Sequence, residues 1–330
     1  MILGVFGLSF VVTACSAVGV STDQPTAPAT APSSPLPETS DVVITPPIPS
    51  PPHVPRPDPS PTTYASGPEI IGYSVAGRPL TMYRYGGGPS RRLIVAGIHG
   101  GYEWNTIALA HQLMSHLLVH PEMVPPDVSL YVLPALNPDG HARSLSYAGR
   151  ANENEVDLNR NWPSLWQPDW PKAGCWNFLP IHGGTAPASE PEVAALMDFI
   201  VDTGIEAIIS YHSAALGIFP GGQPPLSESV DLAETVAEVA PYPYPPINAG
   251  CLYTGQFADW AAEVGISALD VELTNHRDTD LEINLRVLEA FLNWEPRFEQ
   301  ECMEAGEQES ALLRNAGLIE ERELQFQFCR

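Results

Sequence analysis

The chain of 330 residues carries a formal net charge of −24 at pH 7, and its sequence pI is near 4.5. The field of so acidic a protein repels polyanions, which excludes nucleic acid and an anionic lipid surface as partners. Proline is overused, with 36 residues, of which 14 lie between Pro25 and Pro61. That stretch cannot contribute to a packed core, and the remaining length suits one domain.

The N-terminus is a short apolar run, Ile2 to Val12, followed by Thr13, Ala14 and Cys15. A helix needs about 20 apolar residues to cross a bilayer, so this run is too short to span one. The run and the small residue before Cys15 resemble a bacterial lipoprotein signal peptide, in which that cysteine is acylated. The resemblance predicts a signal peptide at residues 1–15 and lipidation of Cys15. A plain secretory signal with an incidental cysteine is the alternative, and both export the chain.

Two segments of unusual composition flank a predicted domain at residues 67–295. Residues 16–66 are rich in Pro, Thr and Ser, which predicts an extended, polyproline-like linker. Such a linker would hold the domain away from a lipid anchor in the bacterial cell envelope. Residues 296–330 form an acidic, Glu-rich tail that fits either a helix laid on the domain or a partly disordered segment.

Strand and helix patterns alternate along the predicted domain, after a hairpin at Ile70 to Tyr85. The predicted strands are nearly continuous apolar runs, at Arg92 to Ile98, Leu130 to Leu133, Ala207 to Tyr211 and Ser267 to Val271. The predicted helices have apolar residues at helical spacing, at Glu103 to His116, Pro191 to Asp202, Val230 to Val239 and Leu281 to Phe291. This alternation predicts an α/β fold with a mainly parallel mixed sheet and helices on both faces.

Residues with metal-binding side chains lie at or just past the ends of the predicted strands. His99 follows one strand and His212 follows another, and Glu103 lies four residues after His99 at a strand-to-helix turn. In parallel sheets, ligands bind at the carboxyl ends of strands. Catalytic zinc takes three protein ligands from His and carboxylate and leaves a fourth position for water. We therefore predict one Zn²⁺ per chain, held by His99, Glu103 and His212.

A further acidic residue, Glu272, lies between Val271 and Leu273. The other residues of this predicted strand have a pattern typical of a buried strand. A buried, unpaired carboxylate costs several kcal/mol, so its presence requires a reason. The functional interpretation is a general base that takes a proton from water and later gives it to the leaving amine. A structural salt bridge is the alternative.

The most distinctive motif is Asp157-Leu-Asn-Arg-Asn161, which is preceded by Arg150. With the metal ligands and Glu272 in this order, the chain resembles the zinc carboxypeptidase family of the pancreatic carboxypeptidase A type. The resemblance extends from about Pro68 to Trp294. The family's usual spacing is His-x-x-Glu, whereas three residues separate His99 from Glu103 here.

The resemblance implies roles for the residues of this motif. Asn159 and Arg160 would bind the terminal carboxylate of a substrate, a task suited to the planar guanidinium. Arg150 would stabilise the oxyanion. Asp157 would accept a hydrogen bond from the ring of His99 and so fix its tautomer.

The family resemblance also implies two residues that contact the substrate, both in the segment before the last predicted strand. Tyr253 would close over bound substrate, and Ala258 would shape the pocket for the last side chain. Ala258 supplies no carboxylate, which argues against a preference for Lys or Arg.

The five cysteines leave an even set of four if Cys15 carries lipid. In an oxidising compartment two disulfides are then possible. We favour Cys302 with Cys329 and Cys175 with Cys251, and four free thiols are the alternative.

These observations predict an exported zinc metallocarboxypeptidase that hydrolyses the C-terminal amide bond of peptides with a free carboxylate. The bacterial branch that trims peptidoglycan peptides at γ-D-glutamyl-diaminopimelate bonds is a narrower hypothesis. One alternative is a zinc amidohydrolase on N-acyl amino acids, resembling succinylglutamate desuccinylase and aspartoacylase. Another is a non-catalytic binding module at the cell surface. The oligomeric state stays open.

Overall fold

A computed structural model describes residues 68–171, 181–214 and 216–297. These residues belong to one compact unit. The predicted signal peptide with Cys15, the predicted linker and nearly all of the predicted tail lie outside the described residues. Within the described ranges, no helix has the length and apolarity needed to cross a membrane.

A single seven-stranded sheet forms the centre of the domain, in the order β1-β2-β4-β3-β5-β7-β6. Strands β4, β3, β5 and β7 are parallel to one another, whereas β1, β2 and β6 join antiparallel at the two edges. The strand bounds are β1 Glu69–Tyr73, β2 Pro79–Gly86, β3 Ser90–Val95, β4 Val128–Leu133, β5 Ala207–Ser213, β6 Ile218–Pro220 and β7 Ser267–Leu273.

Helices cover both faces of this sheet, because its central strands are apolar on both sides. Helices α1, α4 and α6 pack on one face, and α3 and α5 pack on the other. The helix bounds are α1 Trp104–Val119, α2 Pro138–Arg143, α3 Pro191–Thr203, α4 Ser227–Val239, α5 Phe257–Glu263 and α6 Leu281–Asn293. The predicted α/β class, with a mixed sheet and helices on both faces, is confirmed.

Three short elements of secondary structure could not be predicted from the periodicity of the sequence. Strand β6 has three residues, which is too short to show a periodicity, and it pairs antiparallel with β7. Helix α2 has six residues and begins where the Asn137 side chain accepts a hydrogen bond from the backbone N–H of Gly140. Helix α5 has seven residues, nearly all of them buried, so it shows no amphipathic pattern.

Candidate active site and metal centre

The carboxyl ends of β3, β5 and β7 open into one cavity of about 360 Å³. The parallel register places His212 on β5 beside Glu272 on β7, and His99 lies four residues beyond the end of β3. These three side chains line the cavity together with Glu103 and Arg150. The sheet therefore brings together the residues that the sequence placed at strand ends.

The candidate metal ligands form a compact, buried cluster. One ligand atom from each of His99, Glu103 and His212 lies within 4.8 Å of the other two. His99 Nδ1 is 2.7 Å from Glu103 Oε1, and the two histidine Nδ1 atoms are 3.3 Å apart. Glu103 Oε2 is 3.3 Å from His212 Nδ1 but has no hydrogen-bond partner among the described residues.

This cluster fits a zinc ion by its donor types and by its unsatisfied oxygen. Two imidazole nitrogens and a carboxylate are a standard set of three zinc ligands. Burial by itself would raise the pKa of Glu103, but His99 and His212 hold it well below its usual range. The carboxylate is thus in its charged, ligating form.

The other ring nitrogens of the two histidines face carboxylates. His99 Nε2 is 3.3 Å from Asp157 Oδ1, which is an ion-pair distance. His212 Nε2 is 3.0 Å from Ser210 Oγ and 3.5 Å from Asp270 Oδ1. Such partners fix the ring orientation and leave Nδ1 to face the metal position.

The unusual spacing between His99 and Glu103 is accommodated by a short 3₁₀ helix, Gly100–Glu103, ahead of α1. Gly100 has φ +49°, a conformation that a β-carbon disfavours. A β-carbon on Gly101 would overlap the backbone oxygen of Ser144. The two glycines therefore let the extra residue fit while Glu103 still reaches His99.

Arg150 reaches this centre from the loop after α2. Its Nε and one terminal nitrogen each lie 2.9 Å from Asp157 Oδ2, and Nη1 lies 3.5 Å from Glu103 Oε1. Burial alone would raise the pKa of Asp157, but Arg150 and His99 hold it well below its usual range. The guanidinium is thus held rigidly at the cavity wall.

Arg160 and Asn159 form the next part of the cavity. Arg160 is 3% exposed, its Nη1 donates to the Asn159 carbonyl at 2.7 Å, and its Nε has no partner within the described ranges. The Asn159 side-chain oxygen accepts from the Phe257 backbone N–H at 2.9 Å. The rings of Trp170 and Tyr253 lie 5.3 and 5.9 Å from the guanidinium carbon. An arginine with free donors in a cavity is suited to an anionic ligand.

Glu272 extends into the cavity with Oε2 unpaired within the described ranges. Burial, together with the neighbouring Glu103, raises its pKa to about 8. A carboxyl group whose pKa lies near neutral pH can accept and return a proton, which is the requirement for a general base.

Tyr253 also lines the cavity, and burial raises the pKa of its hydroxyl.

Ala258 does not line this cavity, and its role in the substrate pocket stays a prediction. It is 4% exposed within α5 and packs in the core beneath the sheet. The turn of the helix directs it inward, whereas Gln256, which precedes α5, lines the cavity.

Other cavity residues belong to no motif recognised in the sequence. The Tyr102 hydroxyl lies 2.9 Å from His276 Nε2, and its ring stacks on Tyr147, so these rings form one rim. Asp270 could have been found from the sequence, because it lies two residues before Glu272 and strand side chains alternate.

One predicted disulfide touches this region. Cys251 lines the cavity and is disulfide-bonded. Its predicted partner, Cys175, lies outside the described residues, as do Cys302 and Cys329.

Two buried histidines and a glutamate around a metal position, with an adjacent unpaired glutamate, define a metallohydrolase site. Residues 65–280 match the zinc carboxypeptidase family, and the chain belongs to this family of hydrolases.

Several known proteins are similar to this chain. Murein peptide amidase A of Escherichia coli K12 is 28% identical over 74% of this chain and 97% of its own length. The γ-D-glutamyl-L-diamino acid endopeptidase 1 of Lysinibacillus sphaericus is 25% identical over 58% of this chain and 56% of its own. The crystal structure of murein-tripeptide amidase MpaA from E. coli O157 is similar with a TM-score of 0.51. It is 25% identical and covers 73% of this chain and 97% of that one.

The glycine turn gives a test of the metal centre. Gly101→Ala should force the turn away from Ser144, because the added carbon overlaps its carbonyl oxygen. We expect a loss of about 1–3 kcal/mol in the free energy of unfolding. Displacement of Glu103 should weaken zinc binding about 10- to 100-fold. Calorimetry and competition with a zinc chelator measure the two effects.

Gly87→Ala is the matched control, because a β-carbon there meets nothing within 4 Å. Equal unfolding temperatures and zinc affinities in the two variants would contradict this account of the turn.

Proposed function

We propose that this protein is an exported, zinc-dependent carboxypeptidase that removes the last residue from peptides, including cell-wall peptides. The observation that carries the proposal is the meeting, in one cavity, of a His–Glu–His cluster, a glutamate with raised pKa and a buried arginine with free donors. These are the parts needed to hold a metal, move a proton and bind a carboxylate.

His99, Glu103 and His212 would hold the zinc ion, which when bound supplies a Lewis acid and lowers the pKa of water. Glu272 then accepts the proton from the attacking water. The same carboxyl group returns this proton to the nitrogen of the leaving residue. Its Oε2 atom lies unpaired in the cavity among the described residues, which leaves it available for both transfers.

Two arginines divide the negative charges of the reaction between them. Arg150, fixed by Asp157 and close to Glu103, is placed to stabilise charge that develops on the carbonyl oxygen of the substrate. Arg160 is placed to bind the terminal carboxylate, with Asn159 beside it and the Tyr253 ring next to its guanidinium. A peptide bound in this way presents its last amide bond to Glu272.

A role in cell-wall peptide trimming is supported by the similarity to murein peptide amidase A over nearly the whole length of that enzyme. Export is supported by the predicted signal peptide, and a lipid anchor at Cys15 would retain the enzyme in the bacterial envelope. An amidohydrolase acting on N-acyl amino acids is the second candidate. The match of residues 65–280 to the zinc carboxypeptidase family favours the carboxypeptidase.

The general base can be separated from the metal by one substitution. Glu272→Gln keeps the side-chain volume and all three metal ligands, but an amide cannot accept the proton. We expect kcat to fall at least about 10⁴-fold, because both proton transfers are lost, while zinc content is unchanged. Steady-state kinetics on peptides and metal analysis provide the two measurements.

Glu238→Gln makes the same change at an exposed site on α4, which does not line the cavity, and should behave as wild type. Near-normal turnover by Glu272→Gln with full zinc content would show that another group is the base.

The predicted lipid anchor at Cys15 can be tested separately. If Cys15 is acylated, the full-length protein made in a bacterial host should partition into detergent, and Cys15→Ser should move it to the aqueous phase. Ala14→Ser retains a small residue before the cysteine and should still partition into detergent. Equal partitioning of wild type and Cys15→Ser would leave only the plain secretory signal.

A further inference from the structure

A second cavity, also of about 360 Å³, lies between helix α3 and the strands β1, β2 and β4. None of its lining residues lines the candidate active site. Helix α3 approaches β1 so closely that a β-carbon on Gly72 would meet the side chain of Ala195. Beyond this contact, the C-terminal half of α3 borders the cavity, so the sheet is not fully covered there.

Three carboxylates line one part of this second cavity, those of Glu69 on β1 and of Asp198 and Asp202 on α3. The two aspartates are four residues apart, so they lie on the same face of the helix and repel each other. They also lie close to the negative end of the helix dipole, and the last turn of α3 contains no basic residue. None of the three forms an ion pair in the part of the chain that the structure describes. Such departures from local rules are typical of functional sites.

A positive charge lines the same cavity without neutralising these carboxylates. Arg84 on β2 pairs with Tyr131 on β4, and its guanidinium carbon lies 5.6 Å from the centre of the tyrosine ring. One terminal nitrogen of Arg84 donates to Ser129 Oγ at 3.0 Å, but Nε is buried and has no partner within the described ranges. Arg84 forms no ion pair within those ranges. The opposite charges of the cavity therefore stay available to a ligand.

Tyr131 provides an independent indication of a ligand. It lines the cavity and is 8% exposed, and its ring packs edge to face against that of Phe199 at 5.4 Å. Its hydroxyl makes no hydrogen bond to any residue that the structure describes. A buried polar group without a partner is costly, and natural proteins satisfy nearly all such groups. A polar group of a ligand in the cavity would satisfy this hydroxyl.

The lining indicates the chemistry of that ligand. An anionic group would be bound by the guanidinium of Arg84 and the hydroxyl of Tyr131. A cationic group would face the three carboxylates, and an apolar body would pack on Met82 and Phe199, which also line the cavity. A small zwitterion combines all three parts, and the cavity volume lies within the range of small-molecule sites.

We propose that this second cavity is a binding site for a free α-amino acid with an apolar side chain. The carboxylate of the amino acid binds Arg84 and Tyr131, and its ammonium group faces the carboxylates of β1 and α3. The inference does not depend on the proposed catalytic function, because the two cavities have no lining residue in common.

The test compares leucine with two analogues that each lack one charge, by titration calorimetry on the full-length wild-type protein. The first analogue, 3-methylbutylamine, lacks the carboxylate and should bind at least about 10-fold more weakly, because it loses a charge-assisted hydrogen bond in a buried site. The second, 4-methylpentanoate, lacks the ammonium group. It should bind about threefold more weakly or worse, because the carboxylates that face the ammonium are exposed.

Tyr131→Phe removes only the hydroxyl and keeps the ring against Phe199. We expect this variant to bind leucine and 4-methylpentanoate about 10-fold more weakly and 3-methylbutylamine unchanged. Tyr83→Phe is the matched control. It makes the same change on β2 but on the opposite face of the sheet, where Tyr83 packs against the other core cluster, and should bind all three compounds as wild type does.

A double variant tests the carboxylates at exposed positions, where folding is not at risk. Asp198→Asn with Asp202→Asn should weaken leucine binding about threefold or more, and should not weaken binding of 4-methylpentanoate. Glu282→Gln with Glu289→Gln removes two charges from exposed positions on α6 and should leave both affinities unchanged.

Four results would overturn the inference. One is equal binding of leucine and its two analogues by the wild type, and another is the absence of leucine binding up to about 10 mM. A third is unchanged leucine binding in the double variant of α3. Leucine binding that survives Tyr131→Phe but is lost in Arg160→Gln would place the amino acid in the candidate active site instead.

Discussion

The carboxylate of Asp157 is the group on which the rest of the site depends. It receives two contacts of 2.9 Å from Arg150, lies 3.3 Å from His99 Nε2 and accepts the backbone N–H of Asn159 at 3.0 Å. One buried charge thus contacts a candidate metal ligand, a cation at the cavity wall and the start of the segment that we propose to bind a carboxylate. Low dielectric strengthens each of these contacts, and removal of the carboxylate would take from the buried guanidinium of Arg150 its closest counter-charge.

Both signs of charge are present in the cavity of this acidic protein. The chain carries a net charge of −24, yet Arg150 and Arg160 are both nearly fully buried at the site. Three carboxylates, those of Glu103, Asp270 and Glu272, line the same space. Positive and negative groups are therefore placed for separate tasks. An anionic substrate end can bind in this acidic protein because only the groups that face it within the cavity set the potential there.

Much of this arrangement could be predicted from the sequence. The central strands and long helices have clear periodicity, so the sequence pattern alone places His99, His212 and Glu272 at strand ends. The motif around Asn159 and Arg160 marked two residues that line the same cavity. The shifted glutamate was also predicted as a ligand, although only the packing of the glycine turn against the Ser144 carbonyl explains how it fits.

The features of the site that could not be predicted depend on contacts between segments that are distant in the sequence. Ala258 was assigned to the substrate pocket by its position next to an Asp-Trp pair, and its packing in the core depends on how the short helix α5 turns. The rim of Tyr102 and His276 joins residues 174 positions apart, which no local pattern reveals. Asp270 was overlooked because it belongs to no recognised motif, although strand alternation places it on the same face as Glu272.

The central claim is that His99, Glu103 and His212 bind one catalytic zinc ion, and metal analysis of the dialysed full-length protein tests it most directly. The account predicts one zinc per chain in the wild type, and almost none in a folded His212→Ala variant. His111→Ala, which removes an exposed histidine from α1, should keep the full zinc content. A His212→Ala variant that retains stoichiometric zinc, or a folded wild-type protein that binds none, would contradict the account.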